Sequence, residues 1–141
     1  MSIISVNPSN GKIIKKYRAD NLQQVEQKIK QTHKAWLSWK ESSHDERKRL
    51  LLSMADVLQS RKNELATLMA LEMGKPVKQG IAEIEKCASA CQYYATNAAT
   101  YLGDQIIETD ASKSYVSFQP IGVVLAIMPW NFPFWQVFRF L

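Results

Sequence analysis

At 141 residues, 46% hydrophobic and 22% charged, the chain has the size and make-up of one ordinary globular domain able to bury a core. It contains no low-complexity tract and no internal repeat, which excludes a disordered chain. The net charge of +5 comes mostly from early residues such as Lys12, Lys15, Lys16, Arg18, Arg47, Lys48 and Arg49. These alternate with Asp20, Glu26, Glu41, Asp45 and Glu46, as on a solvated helix face, and no aromatic–basic interleaving accompanies them, so no nucleic-acid partner is expected.

The opening reads as two short extended pieces around Asn7-Pro8-Ser9-Asn10-Gly11, where Asn10-Gly11 favours positive φ. A helix is expected to begin at Asp20 as N-cap, with Gln23 closing a capping box. Its apolar face carries Leu22, Val25, Ile29, Trp36 and Trp39, and Glu41-Ser42-Ser43 ends it. Ser43 and Glu46 form a second capping box, ahead of a stripe of Leu50, Leu51, Met54, Val57, Leu58, Leu65, Leu68 and Met69. The polar run Ser60-Arg61-Lys62-Asn63 predicts a break or bend within that stripe. Gly74 and Pro76 stop it, because glycine takes the left-handed cap and proline cannot continue a helix.

A further helix is expected from about Val77 to Leu102, with Ile81, Ile84, Cys87, Ala88, Cys91, Ala95 and Ala98 inward and Gly103 at its end. Cys87 and Cys91, four residues apart, fall on one side of it. They are not a CxxC pair, and neither His33 nor His44 is near in sequence, so they read as packed small apolar residues and no metal site is expected. Nothing calls for an oxidising compartment. The N-terminus lacks the charged-then-apolar order of a signal peptide, and a cytoplasmic location is the expectation.

Beyond Gly103 the period changes. Residues 105–108 and 114–119 predict a hairpin around Thr109-Asp110-Ala111-Ser112-Lys113. Val123 to Met128 is a continuous apolar run, as in a parallel strand covered on both faces, whose partner strands this chain does not supply. Pro129-Trp130-Asn131-Phe132-Pro133 follows, with Pro133 suited to the first position of a new helix. Ligands of open α/β sheets sit just past the carboxyl ends of strands, so Asn131 stands where an amide NH₂ can donate to an oxygen gaining negative charge.

The stretch PIGVVLAIMPWNFP, Pro120 to Pro133, resembles the signature of aldehyde dehydrogenases. Asn7-Pro8 with Gly11, Trp39, Arg47, Leu71-Glu72-Met73-Gly74-Lys75-Pro76, Glu83-Ile84-Glu85 and Tyr93-Tyr94-Ala95 fall in that family's order and spacing, so the likeness covers nearly the whole chain. The resemblance implies an α/β fold with a Rossmann-like cofactor domain and NAD or NADP as cofactor. It also implies that Asn131 helps hold the thiohemiacetal oxyanion, a donor worth about 2.7–4 kcal/mol in the transition state. Ile127, Pro129, Trp130 and Asn131 would border the nicotinamide end of the cofactor, and Phe132 would line the aldehyde tunnel.

The continuation FPFWQVFRF is similar to the shorter succinate-semialdehyde dehydrogenases. Arg139 matches the arginine that grips the distal carboxylate of their substrate, a task suited to a planar fork of donors. The other reading of Arg139 is a side chain pointing outward from a terminal helix. The family's nucleophilic cysteine, its glutamate base, its cofactor-binding lysine and its Gly-rich loop lie downstream of the asparagine turn, and Cys87, Cys91, Glu83 and Glu85 match none of them.

The resemblance thus implies three segments: 1–102 as the helical front of the NAD(P)-binding domain, 103–119 as a hairpin of the oligomerisation arm, and 120–141 as the start of the Rossmann-like sheet. The implied enzyme is a homo-oligomer acting on a small aldehyde with a distal carboxylate. The chain by itself is expected to be an inactive, poorly soluble N-terminal fragment, with its aromatic end exposed.

Two other classes were open to the residues. The segment IGVVLAIMPWNFPFWQVFRFL approaches the length of a membrane span, but its prolines, Asn131, Gln136 and Arg139 argue against one. Residues 20–102 also suit a helical interaction module with partner-binding stripes.

Overall fold

The structure, a computed structural model, describes residues 2–140. Met1 and Leu141, the outermost residues of the first and last expected segments, lie outside the described residues. Strands β1 (Ser2–Val6) and β2 (Ile13–Arg18) form an antiparallel hairpin in which Ser2 faces Arg18 and Val6 faces Ile13, with an irregularity between Ser5 and Val6. The Asn7–Gly11 turn behaves as its composition predicts. Gly11 takes a φ of 69°, its N–H and the Asn7 carbonyl are 2.8 Å apart, and Asn7 Oδ1 accepts from Ser9 N.

Three helices follow: α1 (Leu22–Trp39), α2 (His44–Met73) and α3 (Val77–Tyr101). The cap of α1 is Asn21, one residue later than the expected Asp20, and the reciprocal partner is Gln24 in place of Gln23. Two overlapping registers of an acidic or amide residue followed by glutamine exist here, and the later one makes both bonds. Ser43 caps α2 by accepting from Glu46 N at 3.1 Å, half of the expected box, while Asp45 and Glu46 place negative charge at the positive end of the helix dipole.

No break interrupts α2 at Ser60–Asn63. The quartet stays helical because its side chains are engaged along and between helices: Arg61 forms a two-point pair with Glu64, and Lys62 donates to Glu85 of α3 at 2.5 Å. Gly74 ends α2 with the left-handed φ of 74° that the Gly-Lys-Pro sequence predicts.

The core lies between α2 and α3. Ala55, Leu58, Ala66 and Met69 from α2 meet Ile84, Cys87, Ala88 and Cys91 from α3. Small residues set the approach: a β-carbon at Gly80 would stand 2.9 Å from Ala66 Cβ, closer than carbon atoms pack. By contrast, α1 buries no residue, although Leu22, Val25 and Ile29 line one side of it as expected.

The second hairpin is shorter than expected. Only Gln105–Ile106 (β3) and Tyr115–Val116 (β4) pair, antiparallel, extended by one bond from Ile107 N to the Ser114 carbonyl. Val123–Met128 corrects the expectation of a buried strand. It carries no strand pairing, and Leu125 and Ile127 are each 86% exposed. A parallel strand exists only through neighbours that share its hydrogen bonds, and no described strand lies beside it. A short helix α4 (Trp135–Phe138) comes next, beginning two residues after Pro133 and packing against α3.

Candidate functional site

The turn expected to carry the chemistry lies against the junction of α2 and α3. Gly74, left-handed, turns the chain out of α2, and Lys75 enters the interior before Pro76 opens α3. Two turns along α3, Glu83 occupies the inner face beside Ile84 and Cys87. The Lys75 ammonium and the Glu83 carboxylate form a salt bridge with side chains only 6% and 1% exposed.

Both groups reach on to the asparagine turn. Lys75 Nζ donates to the backbone carbonyl of Asn131 at 3.2 Å and sits 3.9 Å from the centre of the Phe132 ring. Glu83 Oε1 accepts from the backbone N–H groups of Phe134 and Trp135, both at 2.9 Å. These N–H groups open α4 and have no partner within their own helix, so a carboxylate from α3 satisfies them. Lys86 lies over the Trp135 ring at 3.9 Å and adds a second cationic contact to the same short helix.

Within this frame Asn131 keeps its side chain exposed, and Phe132 is held beneath by Lys75 while still half open. Ile127 and Trp130 present large apolar surface to solvent, and Pro129 is exposed between them. The residues expected at the cofactor and aldehyde end are therefore all exposed. Arg139 stands elsewhere. It borders an open cavity of about 770 Å³ together with Trp39, Arg47, Tyr94, Tyr101 and Phe138, and none of Ile127, Pro129, Trp130, Asn131 or Phe132 lines that cavity.

Arg47, on the cavity wall, closes the end of α1. Its guanidinium donates to the carbonyls of Trp39 and Lys40 at 3.2 and 3.3 Å and to Ser42 Oγ at 2.8 Å. The cysteines behave as the helical spacing predicts. Both are free and buried, and burial, with the Glu83 charge adding to it, pushes the Cys87 thiol up to about 12. Burial raises Cys91 as well, so neither supplies a thiolate near neutral pH. Among the described residues no group of three or more His, Cys, Asp or Glu side chains is placed to hold a metal ion. No helix among them is long and apolar enough to cross a membrane.

Lys75 and Glu83 were the residues that motif reading did not single out as a pair. A signal was present: Glu83 interrupts the apolar face of α3 formed by Gly80, Ile84, Cys87, Ala88 and Cys91. A lone carboxylate in such a face needs a buried partner, and Lys75 is the cation just before that helix.

The aldehyde dehydrogenase family model matches residues 1–140. The chain is 44% identical over 140 residues to a probable succinate-semialdehyde dehydrogenase [NADP(+)] of Synechocystis, covering 99% of this chain and 31% of that protein. It is 38% identical over 143 residues to succinate-semialdehyde dehydrogenase [NADP(+)] 1 of Mycobacterium tuberculosis, with 99% and 31% covered. Among solved structures, succinic semialdehyde dehydrogenase from Streptococcus pyogenes in complex with NADP+ superposes with a TM-score of 0.90 at 29% identity, over 96% of this chain and 30% of that one. The chain thus spans about a third of the length of the curated relatives it matches. Its α/β arrangement of helices and small antiparallel sheets is that of the corresponding part of this fold. The chain belongs to the aldehyde dehydrogenase family.

Proposed function

We propose that, as a member of the aldehyde dehydrogenase family, this chain contributes the oxyanion-side turn of an NAD(P)-dependent enzyme that oxidises succinate semialdehyde to succinate. The observation that carries the reading is the turn itself: an exposed Asn131 amide on a backbone held by buried charges. Asn131 donates an N–H to the aldehyde oxygen as that oxygen gains negative charge, and a fixed donor does this without reorganising at the moment of reaction. Phe132 borders the path of the aldehyde. Arg139 binds the distal carboxylate through its fork of donors, a role supported by the likeness to succinate-semialdehyde dehydrogenases. Arg139 borders a cavity that Asn131 does not line, and the support for this role is that likeness.

The likeness to relatives named for NADP supports a dinucleotide whose nicotinamide end meets the apolar side chains of Ile127 and Trp130. Ile127, Pro129, Trp130 and the Asn131 backbone would hold that end. The bound cofactor supplies a hydride acceptor. The same reading places the enzyme in the cytoplasm and assigns the β3–β4 hairpin to contacts between subunits, in keeping with the exposed Ile106, Tyr115 and Val116.

Steady-state kinetics test the proposal. The 141-residue chain alone forms no NAD(P)H from succinate semialdehyde, and turnover by the pure chain would sink the assignment of nucleophile and base to other residues. In the intact enzyme, Asn131→Ala lowers kcat by about 10²–10³. Arg139→Leu raises KM for succinate semialdehyde and leaves that for butanal unchanged; an equal effect on both would remove Arg139 from carboxylate recognition.

A further inference from the structure

A buried ion pair is a weak device for stability alone, since an apolar pair of the same volume often serves a fold as well or better. Lys75 and Glu83 are nearly inaccessible and yet direct their remaining hydrogen-bonding capacity at one stretch of five residues. Glu83 Oε2 takes the lysine, and Oε1 takes the N–H groups of Phe134 and Trp135. Lys75 takes the Asn131 carbonyl and the face of Phe132. The turn is therefore gripped on both sides of Pro133, and none of these contacts uses the Asn131 amide.

A carbonyl held at residue 131 and two N–H groups held at residues 134 and 135 restrain the 131–132, 133–134 and 134–135 peptide planes. The first of these is one of the two planes from whose junction the Asn131 side chain leaves the backbone, so the grip limits the directions open to it. The grip also comes from rigid ground. Lys75 follows directly on the left-handed cap of α2, and Glu83 lies in the close-packed face of α3. From this geometry we propose that Lys75 and Glu83 are a positioning pair that sets the orientation of Asn131, a role resting on the reading of Asn131 as the oxyanion donor. Neither residue touches the reacting atoms. Each acts through the backbone of the turn, and together they couple the packing of α2 against α3 to the aim of the Asn131 amide.

Hydrogen exchange followed by mass spectrometry on the dilute 141-residue chain tests the grip without any need for activity. Two variants are compared with the parent: Glu83→Ala, and the double change Lys75→Met with Glu83→Gln, which keeps the shape and leaves no unpaired buried charge. In both, exchange in peptides spanning residues 130–136 accelerates roughly tenfold or more, as expected for the loss of hydrogen bonds to a charged group. In the neutral pair, peptides from the middles of α2 and α3 change by less than about twofold, whereas Glu83→Ala, which leaves the Lys75 charge buried and unpaired, loosens the helices as well. If the neutral pair leaves exchange at 130–136 unaltered, or if its helices accelerate as much as its turn, the proposal is overturned.

A kinetic measurement separates positioning from mere support. In the intact enzyme the neutral pair lowers kcat about tenfold or more, as misplacement of a reacting group does, with KM for succinate semialdehyde within about twofold. Selective loosening of the turn with kcat unchanged would also overturn the proposal. If the parent enzyme does not oxidise succinate semialdehyde, the functional reading fails while the exchange result still decides whether the pair grips the turn.

Discussion

The α2–α3 pair and the segment from Ser117 to Asn131 are both rich in apolar residues, yet they reach opposite ends of the burial scale. In the first, Ala55, Ala66, Ile84, Cys87 and Ala88 are completely inaccessible. In the second, Ile121, Leu125 and Ile127 stand out in solvent with no strand partner among the described residues. The difference lies in where each kind of element finds its hydrogen bonds. A helix satisfies its own backbone, so two helices with matched apolar faces need only each other. A strand satisfies its backbone only through neighbours, and a parallel strand also needs layers above and below it. Hydrophobic content alone therefore says little about which part of a chain can form structure with what is locally at hand.

Substitutions that load one side of this contrast test it, and the largest effect is expected deep in the helix pair. Ile84→Ala, at a site with no exposure, costs about 2–5 kcal/mol in denaturant-induced unfolding. A cost below the lower bound would mean that α2 and α3 are not the stabilising unit. Gly80→Ala comes next. The new methyl meets Ala66 and overpacks the contact, costing about 1–3 kcal/mol before any gain in helix propensity is credited. A stabilised variant would show that the two helices part easily at this crossing. The smallest effect is expected in the open segment, where Leu125→Ser shifts stability by less than about 0.5 kcal/mol. A large loss there would reveal packing around Leu125 that the comparison denies.

The helical front was legible in the sequence because its boundaries are written in local chemistry. Gly74 before Pro76, Ser43 before Glu46 and the Asn10-Gly11 turn each act within a few residues, and each falls where composition places it. Local chemistry was also ambiguous by one residue at Asp20-Asn21, where two overlapping caps compete and Asn21 with Gln24 wins. The expected break at Ser60–Asn63 failed because polarity was read as interruption, whereas Arg61 and Lys62 carry their charges into pairs that leave the helix intact.

At the site, Asn131 and its neighbours were visible as a motif, but what holds them was not. Lys75 and Asn131 are separated by 56 positions, and Glu83 and Phe134 by 51, and no periodicity reports contacts over such separations. Only the oddity of Glu83 within an apolar face pointed inward.

Gly74 was described as the residue that ends α2, but what it lacks matters as much as the angle it adopts. A β-carbon there would come within 3.3 Å of Pro8 Cγ, in the turn that joins the first two strands, and Ser5 is tied to Glu72 just before it. The opening turn of the chain and the last turn of α2 thus occupy the room left by a single absent methyl group. Any residue other than glycine would need the Pro8 ring to give by a few tenths of an ångström, besides straining the left-handed backbone, at the point where the chain turns to send Lys75 inward. The first dozen residues, far from Asn131 in sequence, are in this way neighbours of the junction that supports it.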